Sequence, residues 1–411
     1  MMELYNYKFS ELYEMSSGIS TKPEQAGHGY PFLSFSTIFN NYYLPPSLKD
    51  LMDTNENERN IYSIKKGDIF LTRTSETLDE LAMSSVALCD YENATYSGFA
   101  KRLRPIQKNV TYDRYMAFFL RSPYFRKIID NNAIMTLRAS FNENIFSYLN
   151  ILLPSYENQI KIGDFLYNLS MISNKCLELN EKYHLMIDVI YKYYIIKSAN
   201  TSEKYKYDSN LKRNIPESWT SVKLKDLCSI KSGFAFKTEN YCNKGKYKLL
   251  TIKNVQDKYV NMEVDNYIDT LDKNIPDYCI LKEGDILLSL TGNVGRVGLV
   301  YSNDCLLNQR VGIVKPKDSK YKAYLYSLFQ SEWLKLKIER ISTGTSQKNV
   351  SPIDIENIYI PLPSENVLDK FTDMNSILSS IILNFKESYR INKFIKNNLQ
   401  SFVNGQIKIE D

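Results

Sequence analysis

The sequence predicts a mixed α/β (α+β) chain built as an internal duplication: two similar globular halves, each followed by a long helix. Three observations carry this. A Gly-Asp turn followed by strand-forming residues occurs twice, as Lys66-Gly67-Asp68-Ile69-Phe70-Leu71-Thr72-Arg73 and Glu283-Gly284-Asp285-Ile286-Leu287-Leu288-Ser289-Leu290. Shorter blocks around it recur in the same order: Ser17-Gly18 answers Ser232-Gly233, and Arg121-Ser122-Pro123-Tyr124 answers Gln330-Ser331-Glu332-Trp333. Each half then ends on Leu-Pro-Ser, at Leu153-Pro154-Ser155 and Leu362-Pro363-Ser364, and a run with heptad-spaced apolar residues follows.

In chain order, residues 1–155 form the first domain. Gly27, Gly29 and Pro31 break any helix near its start, and strands are expected at 68–72, 85–89 and 95–100. Residues 112–130 have helical spacing, with Tyr115, Phe118, Phe119 and Phe125 on one apolar face, and 133–144 read as a loop. Residues 156–199 form the first long helix. Its seam is expected at Ile162, Phe165, Leu169, Ile172, Cys176, Leu179, Tyr183, Met186, Ile190 and Tyr193. Such a helix of ~40 residues is ~60 Å long, too long to bury inside one small domain. Residues 200–214 are polar and read as a linker. The second domain takes 215–363, with strands expected at 249–252, 285–290, 297–301 and 310–314, a helix at 321–340 and a polar loop at 341–351. The last long helix takes 364–405, with Phe371, Leu378, Ile381, Phe385, Ile395 and Phe402 on its seam and Ser388 and Asn392 interrupting it. Two matching helices in one chain predict that the two pair with each other as a coiled coil.

Composition narrows the function classes. A chain of 411 residues, 43% hydrophobic and 24% charged, is ordinary for soluble domains. No apolar run approaches the ~18 residues of a membrane span, and no signal peptide is visible. Six Cys with no Cys-x-x-Cys spacing indicate reduced thiols and a cytoplasmic location. Two His leave no His-rich metal site, so no metal is expected. The net charge of +5 permits nucleic-acid binding without requiring it. It is uneven: residues 1–155 carry 16 Lys/Arg against 17 Asp/Glu, and residues 215–363 carry 21 against 17.

Catalytic motifs are missing. Thr291-Gly292-Asn293-Val294-Gly295-Arg296 is glycine-rich but lacks the Gly-Lys-Ser/Thr ending of a P-loop and lies between two expected strands. No Asn/Asp-Pro-Pro-Tyr/Phe stretch marks an adenine methyltransferase. The one Asp-x-Lys, Asp318-Ser319-Lys320, has no partner acid nearby in the sequence for a nuclease. A His-dependent hydrolase would have to use His28, because His184 lies within the heptad run.

The chain resembles the specificity subunit (HsdS) of type I restriction-modification systems. The residues that carry the resemblance are Gly284-Asp285-Ile286-Leu287-Leu288, Gly292-Asn293-Val294-Gly295-Arg296, Asn308-Gln309-Arg310-Val311, Gly344-Thr345-Ser346-Gln347-Lys348-Asn349-Val350 and Ile360-Pro361-Leu362-Pro363. The first half departs from the pattern: Ser75 to Glu80 stands in place of Gly-x-x-Gly, and Leu137-Arg138-Ala139-Ser140-Phe141-Asn142 in place of Gly-Thr-Ser-Gln-Lys.

The resemblance implies two target-recognition domains, each reading one half of a bipartite duplex DNA sequence, with the antiparallel helices as spacer. It further implies two methyltransferase (HsdM) subunits that supply the S-adenosylmethionine chemistry, motor-nuclease (HsdR) subunits for cleavage, and no cofactor or active site in this chain. Target adenines would be flipped into the partner's pocket. Candidate base readers are Arg73, Thr74 and Arg138 in the first domain and Lys253, Asn254, Asn293, Arg296, Gln347 and Lys348 in the second, since Arg/Lys pair with guanine and Asn/Gln with adenine. Lys101, Arg102 and Arg104 are phosphate candidates. On the helices, Ile162, Leu169, Ile172, Phe371, Leu378 and Phe385 are the expected partner-binding positions. A coiled-coil scaffold that binds proteins and has no DNA sequence preference is the competing class. A fused restriction-modification enzyme is disfavoured by the absent motifs.

Overall fold

The computed structural model describes residues 2–75, 80–132, 139–197, 204–344 and 347–409. They fall into two compact units, Met1–Ile172 with Ile391–Asp411, and Ser173–Arg390. The first unit holds an antiparallel sheet in the order Tyr13–Ser17, Ala100–Pro105, Ile69–Thr72, Ser84–Val86. A second sheet runs Asp50–Met52, Ala26–Leu33, Thr95–Tyr96, its last pair parallel. The second unit repeats this plan. One sheet runs Cys228–Ser232, Val311–Pro316, Ile286–Ser289, Val297–Leu299, and the other pairs Tyr247–Leu250 with Cys305–Leu307 in parallel.

The repeated Gly-Asp turn has the same job in both units. Gly67 and Gly284 adopt φ of +87° and +89°, a left-handed conformation that glycine enters without steric cost. Asp68 Oδ2 accepts from the Lys65 amide at 2.7 Å, and Asp285 Oδ2 from the Lys282 amide at 2.8 Å. Each carboxylate also pairs with a cation on the neighbouring strand: Asp68 with Arg104 at 2.7 Å and Asp285 with Lys315 at 2.5 Å. Ser17-Gly18 and Ser232-Gly233 match for a steric reason. A Cβ on Gly18 would lie 2.2 Å from Ser97 O, and one on Gly233 would lie 2.4 Å from Asn308 O.

Each expected domain helix is a broken pair. Asp113–Phe119 and Pro123–Asn132 replace the single run at 112–130, and Lys322–Gln330 and Glu332–Ile341 the run at 321–340. The break is a serine device as much as a proline effect. Ser122 donates to Phe119 O at 2.6 Å and accepts from the Phe125 amide at 3.3 Å; Ser331 does the same with Leu328 O and the Leu334 amide. Tyr115, Phe118, Phe119 and Phe125 are buried as expected, each such side chain contributing ~1.5–3 kcal/mol.

Two further differences lie in stretches read as loop or linker. In 133–144, residues 133–138 lie outside the described residues. After them come the short strand Ala139–Ser140 and the helix Glu143–Tyr148, capped by Asn142, which accepts from the Ile145 amide at 3.0 Å. In 200–214, Tyr205–Asp208 pairs with Arg213–Pro216 as a hairpin. Polar composition hid it. The hairpin is held by backbone pairing, by Asp208 Oδ1 accepting from the amides of Asn210 and Leu211, and by Leu211 and Ile215 buried in the core.

The long helices are Tyr156–Tyr191, continued by a π-helical turn at Lys192–Ile196, and Asn375–Val403, preceded by the separate helix Glu365–Asp373. None of the described helices is long and apolar enough to cross a membrane. In the first unit, Ile162 and Leu166 share a core with Ile395, Leu399 and Phe402, and Phe165 packs on Phe394 and Phe402. In the second, Ser173 Oγ meets Ser388 Oγ at 2.8 Å, and Asn180 donates to Ile381 O at 3.0 Å while accepting from Asn384 Nδ2 at 2.9 Å. The partner number falls as the residue number rises, so the helices run antiparallel.

The seam of the first helix needs correction. From Ile162 onward the buried side chains are Ile162, Leu166, Ser173, Asn180, His184, Ile187, Tyr191 and Ile195. Ile172 is 53% exposed, and Leu179, Met186 and Tyr193 are exposed too. Leu169 is partly buried. The apolar pattern drifts from the real seam because three seam positions are polar, and two of these pair with groups of the facing helix. On the other side Phe371 and Leu378 are buried, and Phe385 packs on Tyr301 with ring centroids 5.6 Å apart.

Candidate nucleic-acid interface

In the second unit three loops meet. The turn between Ile286–Ser289 and Val297–Leu299 uses Gly292 and Gly295 at φ of +75° and +84°. It is closed by Ser289 Oγ, which donates to Asn293 O at 2.5 Å and accepts from the Arg296 amide at 2.9 Å. The segment after Glu332–Ile341 is stitched to this turn: the Gly292 amide donates to Lys348 O at 2.8 Å, and Thr291 Oγ1 to Asn349 Oδ1 at 2.9 Å. The loop after Tyr247–Leu250 joins through Arg296 Nη1, which donates to Gln256 Oε1 at 2.8 Å. Lys253, Asn293, Arg296, Gln347 and Lys348 therefore belong to one loop cluster. Lys253, Asn293, Gln347 and Lys348 are exposed, and Arg296 is half-buried. Their ion pairs are solvent-facing, Lys253 with Asp265 at 3.2 Å and Lys348 with Glu339 at 3.7 Å, so breaking them costs little.

Asn254 leaves the candidate set. It is 5% exposed and its amide is fully used. Its Oδ1 accepts from the Thr251 amide and hydroxyl, and its Nδ2 donates to Asn261 O and Glu263 O. It builds the loop; it has no group left for a base.

In the first unit, the Arg73 amide donates to Phe99 O at 2.9 Å, the Phe141 amide donates to Arg73 O at 2.8 Å, and Thr74 pairs with Ser140. Arg73 is exposed and Thr74 half-buried. Lys101 is 5% exposed; its Nζ donates to Ser17 Oγ at 2.8 Å and lies 3.9 Å from Glu143. Burial and then the Arg73 charge hold its ammonium below the usual lysine range, while Glu143 opposes them. Arg138 lies outside the described residues.

Arg102 and Arg104 are corrections. Side chains alternate across a strand, so these two point away from Lys101. Arg102 is 8% exposed and donates to Ser63 O at 2.7 Å. Arg104 forks onto Asp68 with two bonds of 2.7 Å. Both hold the fold: Arg102 is closed off from a phosphate, and Arg104, though 31% exposed, is committed to Asp68.

Sequence reasoning passed over a matched pair. Leu290 N donates to Arg310 O as Arg73 N does to Phe99 O, so Arg310 and Phe99 occupy equivalent positions beside the two loop clusters. Arg310 is exposed and Phe99 is 66% exposed. The hydrogen-bond frame reveals the equivalence; the local sequences, Gln309-Arg310-Val311 and Gly98-Phe99-Ala100, do not.

The family model for the type I restriction modification DNA specificity domain matches residues 6–183 and 216–401. The chain belongs to this family. Both copies of the specificity domain thus take in a loop cluster and a large part of a long helix. The chain is 30% identical over 284 residues to the type I restriction enzyme MjaVIII specificity subunit of Methanocaldococcus jannaschii, an alignment covering 66% of this chain and 65% of that protein. It therefore spans just under two thirds of that relative's length. It is 23% identical to the MjaIX specificity subunit of the same organism, over 98% of this chain and 93% of that one. The structure of a type I restriction-modification system S subunit from M. genitalium superposes with a TM-score of 0.59 at 14% identity, covering 98% of this chain and 96% of that one, which supports the fold of the specificity family.

Proposed function

We propose that this chain is the DNA sequence-specificity subunit of a type I restriction-modification complex. The observation that carries this is the duplicated frame: the same Gly-Asp turn, sheet order and serine-broken helix pair recur in each half, and both halves match the specificity-domain family. The recognition domains are residues 1–155 and 215–363, each followed by its long-helix segment. Each domain reads one half of a bipartite duplex site. The chain works in the cytoplasm and is not itself catalytic. Two methyltransferase subunits dock on the long helices and bring S-adenosylmethionine, and motor-nuclease subunits join for cleavage. Leu185, Met186 and Val189, neighbouring apolar residues that the first helix leaves exposed, suit such docking, because apolar surface favours a partner over water.

Within each half, exposed Arg, Lys, Asn and Gln side chains on loops meet base edges, while the sheets behind them fix their positions. The test is co-expression with the methyltransferase encoded beside this chain, followed by mapping of methylated adenines in host DNA. A motif of two short blocks with a fixed non-specific gap supports the reading. No new methylation from an assembled complex favours a protein-binding scaffold instead.

A further inference from the structure

Asn210, in the turn of the hairpin Tyr205–Asp208/Arg213–Pro216, and the helix Glu332–Ile341 border an open cleft of about 380 Å³, lined also by Lys337, Arg340, Asp354, Asn357 and Tyr359. Its basic groups sit close together. Lys337 Nζ lies 4.4 Å over the Trp333 ring, and the Arg213 guanidinium lies 5.7 Å from the same ring. Burial, followed by the charges of Arg213, Arg340 and Lys212, holds the Lys337 ammonium below the usual lysine range. Among the described residues, no carboxylate forms an ion pair with any of these four cations. Asp354 is the one acid lining the cleft. Arg213 Nε is shut off from solvent with no hydrogen-bond partner.

The hairpin tip is built to hold this arrangement. Asp208 Oδ1 ties the turn through two amides, Leu211 is buried, and Lys212 adopts φ of +55°. A left-handed lysine costs roughly 1–2 kcal/mol. Two lining cations, Lys337 and Arg340, against the one lining acid, with the charges of Arg213 and Lys212 nearby, add repulsion that folding alone does not relieve. A bound anion relieves it.

The position of the cleft names the anion. On the helix Glu332–Ile341, Lys335 pairs with Asp257 and Glu339 with Lys348, so that flank abuts the loop cluster. At 100° per residue, Trp333, Lys337 and Arg340 fall on the opposite flank. Anything lying over the exposed ridge of this helix reaches both flanks, about 10 Å apart, close to the ~12 Å width of a DNA major groove. We propose that the cleft lined by Lys337 and Arg340, with Lys212 and Arg213 close by, binds a backbone phosphate of the DNA duplex, across a groove from the bases that the second loop cluster reads. This rests on the DNA-specificity reading above.

The test measures binding of the full chain, alone and with co-expressed methyltransferase, to a random-sequence duplex at several salt concentrations. Each phosphate contact contributes ~0.9 to the slope of log K against log salt. The Lys337→Gln/Arg340→Gln variant should lose ~0.9 of that slope and bind about tenfold more weakly at low salt. The charge-keeping Arg340→Lys should retain the wild-type slope, and a thermal midpoint close to wild type shows that the double variant is folded. Lys212→Gln, at an exposed hairpin tip, repeats the test without touching the helix. Inorganic phosphate, titrated against Trp333 fluorescence, is the second probe. Wild-type duplex binding with an unchanged slope in both glutamine variants overturns the cleft and leaves the specificity reading standing. Phosphate quenching combined with that unchanged slope makes the cleft a small-anion site, which also overturns the proposal. Failure of the wild type to bind any duplex overturns both.

Discussion

Replacing Asp68 by Asn should destabilise the first unit far more than Asp285→Asn destabilises the second, although the two residues are equivalent. Asp68 has a side chain 1% exposed and accepts two bonds of 2.7 Å from Arg104, itself 31% exposed. The substitution removes the charge from a bidentate pair and leaves the guanidinium without its counter-ion. Charge-assisted bonds contribute ~1.5–3 kcal/mol each, and breaking a buried pair costs ~3–5 kcal/mol. The partial exposure of Arg104 reduces this to about 2–4 kcal/mol. Asp285 makes a single bond of 2.5 Å to Lys315, whose side chain is 38% exposed. Water solvates that lysine once it is released, so Asp285→Asn should cost about 1 kcal/mol. Both changes keep an oxygen for the Lys65 or Lys282 amide. Urea unfolding provides the assay. Both tryptophans, Trp219 and Trp333, belong to the second unit, so their fluorescence follows Asp285→Asn, while far-UV circular dichroism follows Asp68→Asn. A cost below about 1 kcal/mol for Asp68→Asn, or a larger cost for Asp285→Asn, would refute the bidentate argument.

Other perturbations separate fold from reading. His184 is 4% exposed; burial first, then nearby Lys258, pushes its imidazole down to about 4, against a hydrogen bond with Gln330 that raises it. The unfolded chain therefore takes up the proton first. Stability should be complete above pH ~6.5 and fall by roughly 3 kcal/mol as pH drops toward 4; a His184→Gln variant that keeps the full slope in pH-dependent unfolding would contradict this. Asn254→Ala should lower stability by about 2 kcal/mol, since it strips four bonds from a buried loop, and calorimetry should detect that loss whether or not DNA is present. Arg102→Ala should likewise reduce the thermal midpoint while leaving the salt slope of DNA binding unchanged, because its guanidinium is committed to Ser63 O. Asn180→Ala should cost about 1–2 kcal/mol by removing the Ile381 and Asn384 bonds, measured by urea titration.

The duplication was legible because its anchors are backbone requirements. Gly67 and Gly284 need positive φ, Gly18 and Gly233 meet a carbonyl, and the aspartates close turns, so residue identity follows from local geometry. The helix seam was only half legible. Apolar periodicity assumes an apolar seam, and Ser173, Asn180 and His184 break that assumption with polar groups whose pairing is visible only in three dimensions. The candidate readers divide for a related reason. Lys101 and Arg102 are neighbours in sequence but occupy opposite faces of one strand, and Asn254 resembles a base reader until its four bonds are counted. The basic cleft was hidden in a stretch that composition alone marks as linker.

The central claim is that one domain reads one half-site. The most direct test maps methylated adenines in host DNA after co-expression of the methyltransferase with wild type, Arg296→Ala or Gln347→Ala. The account predicts that each variant relaxes or weakens recognition in one block of the split motif and leaves the other block unchanged. Loss of both blocks together, in a variant that folds and assembles normally, would contradict it.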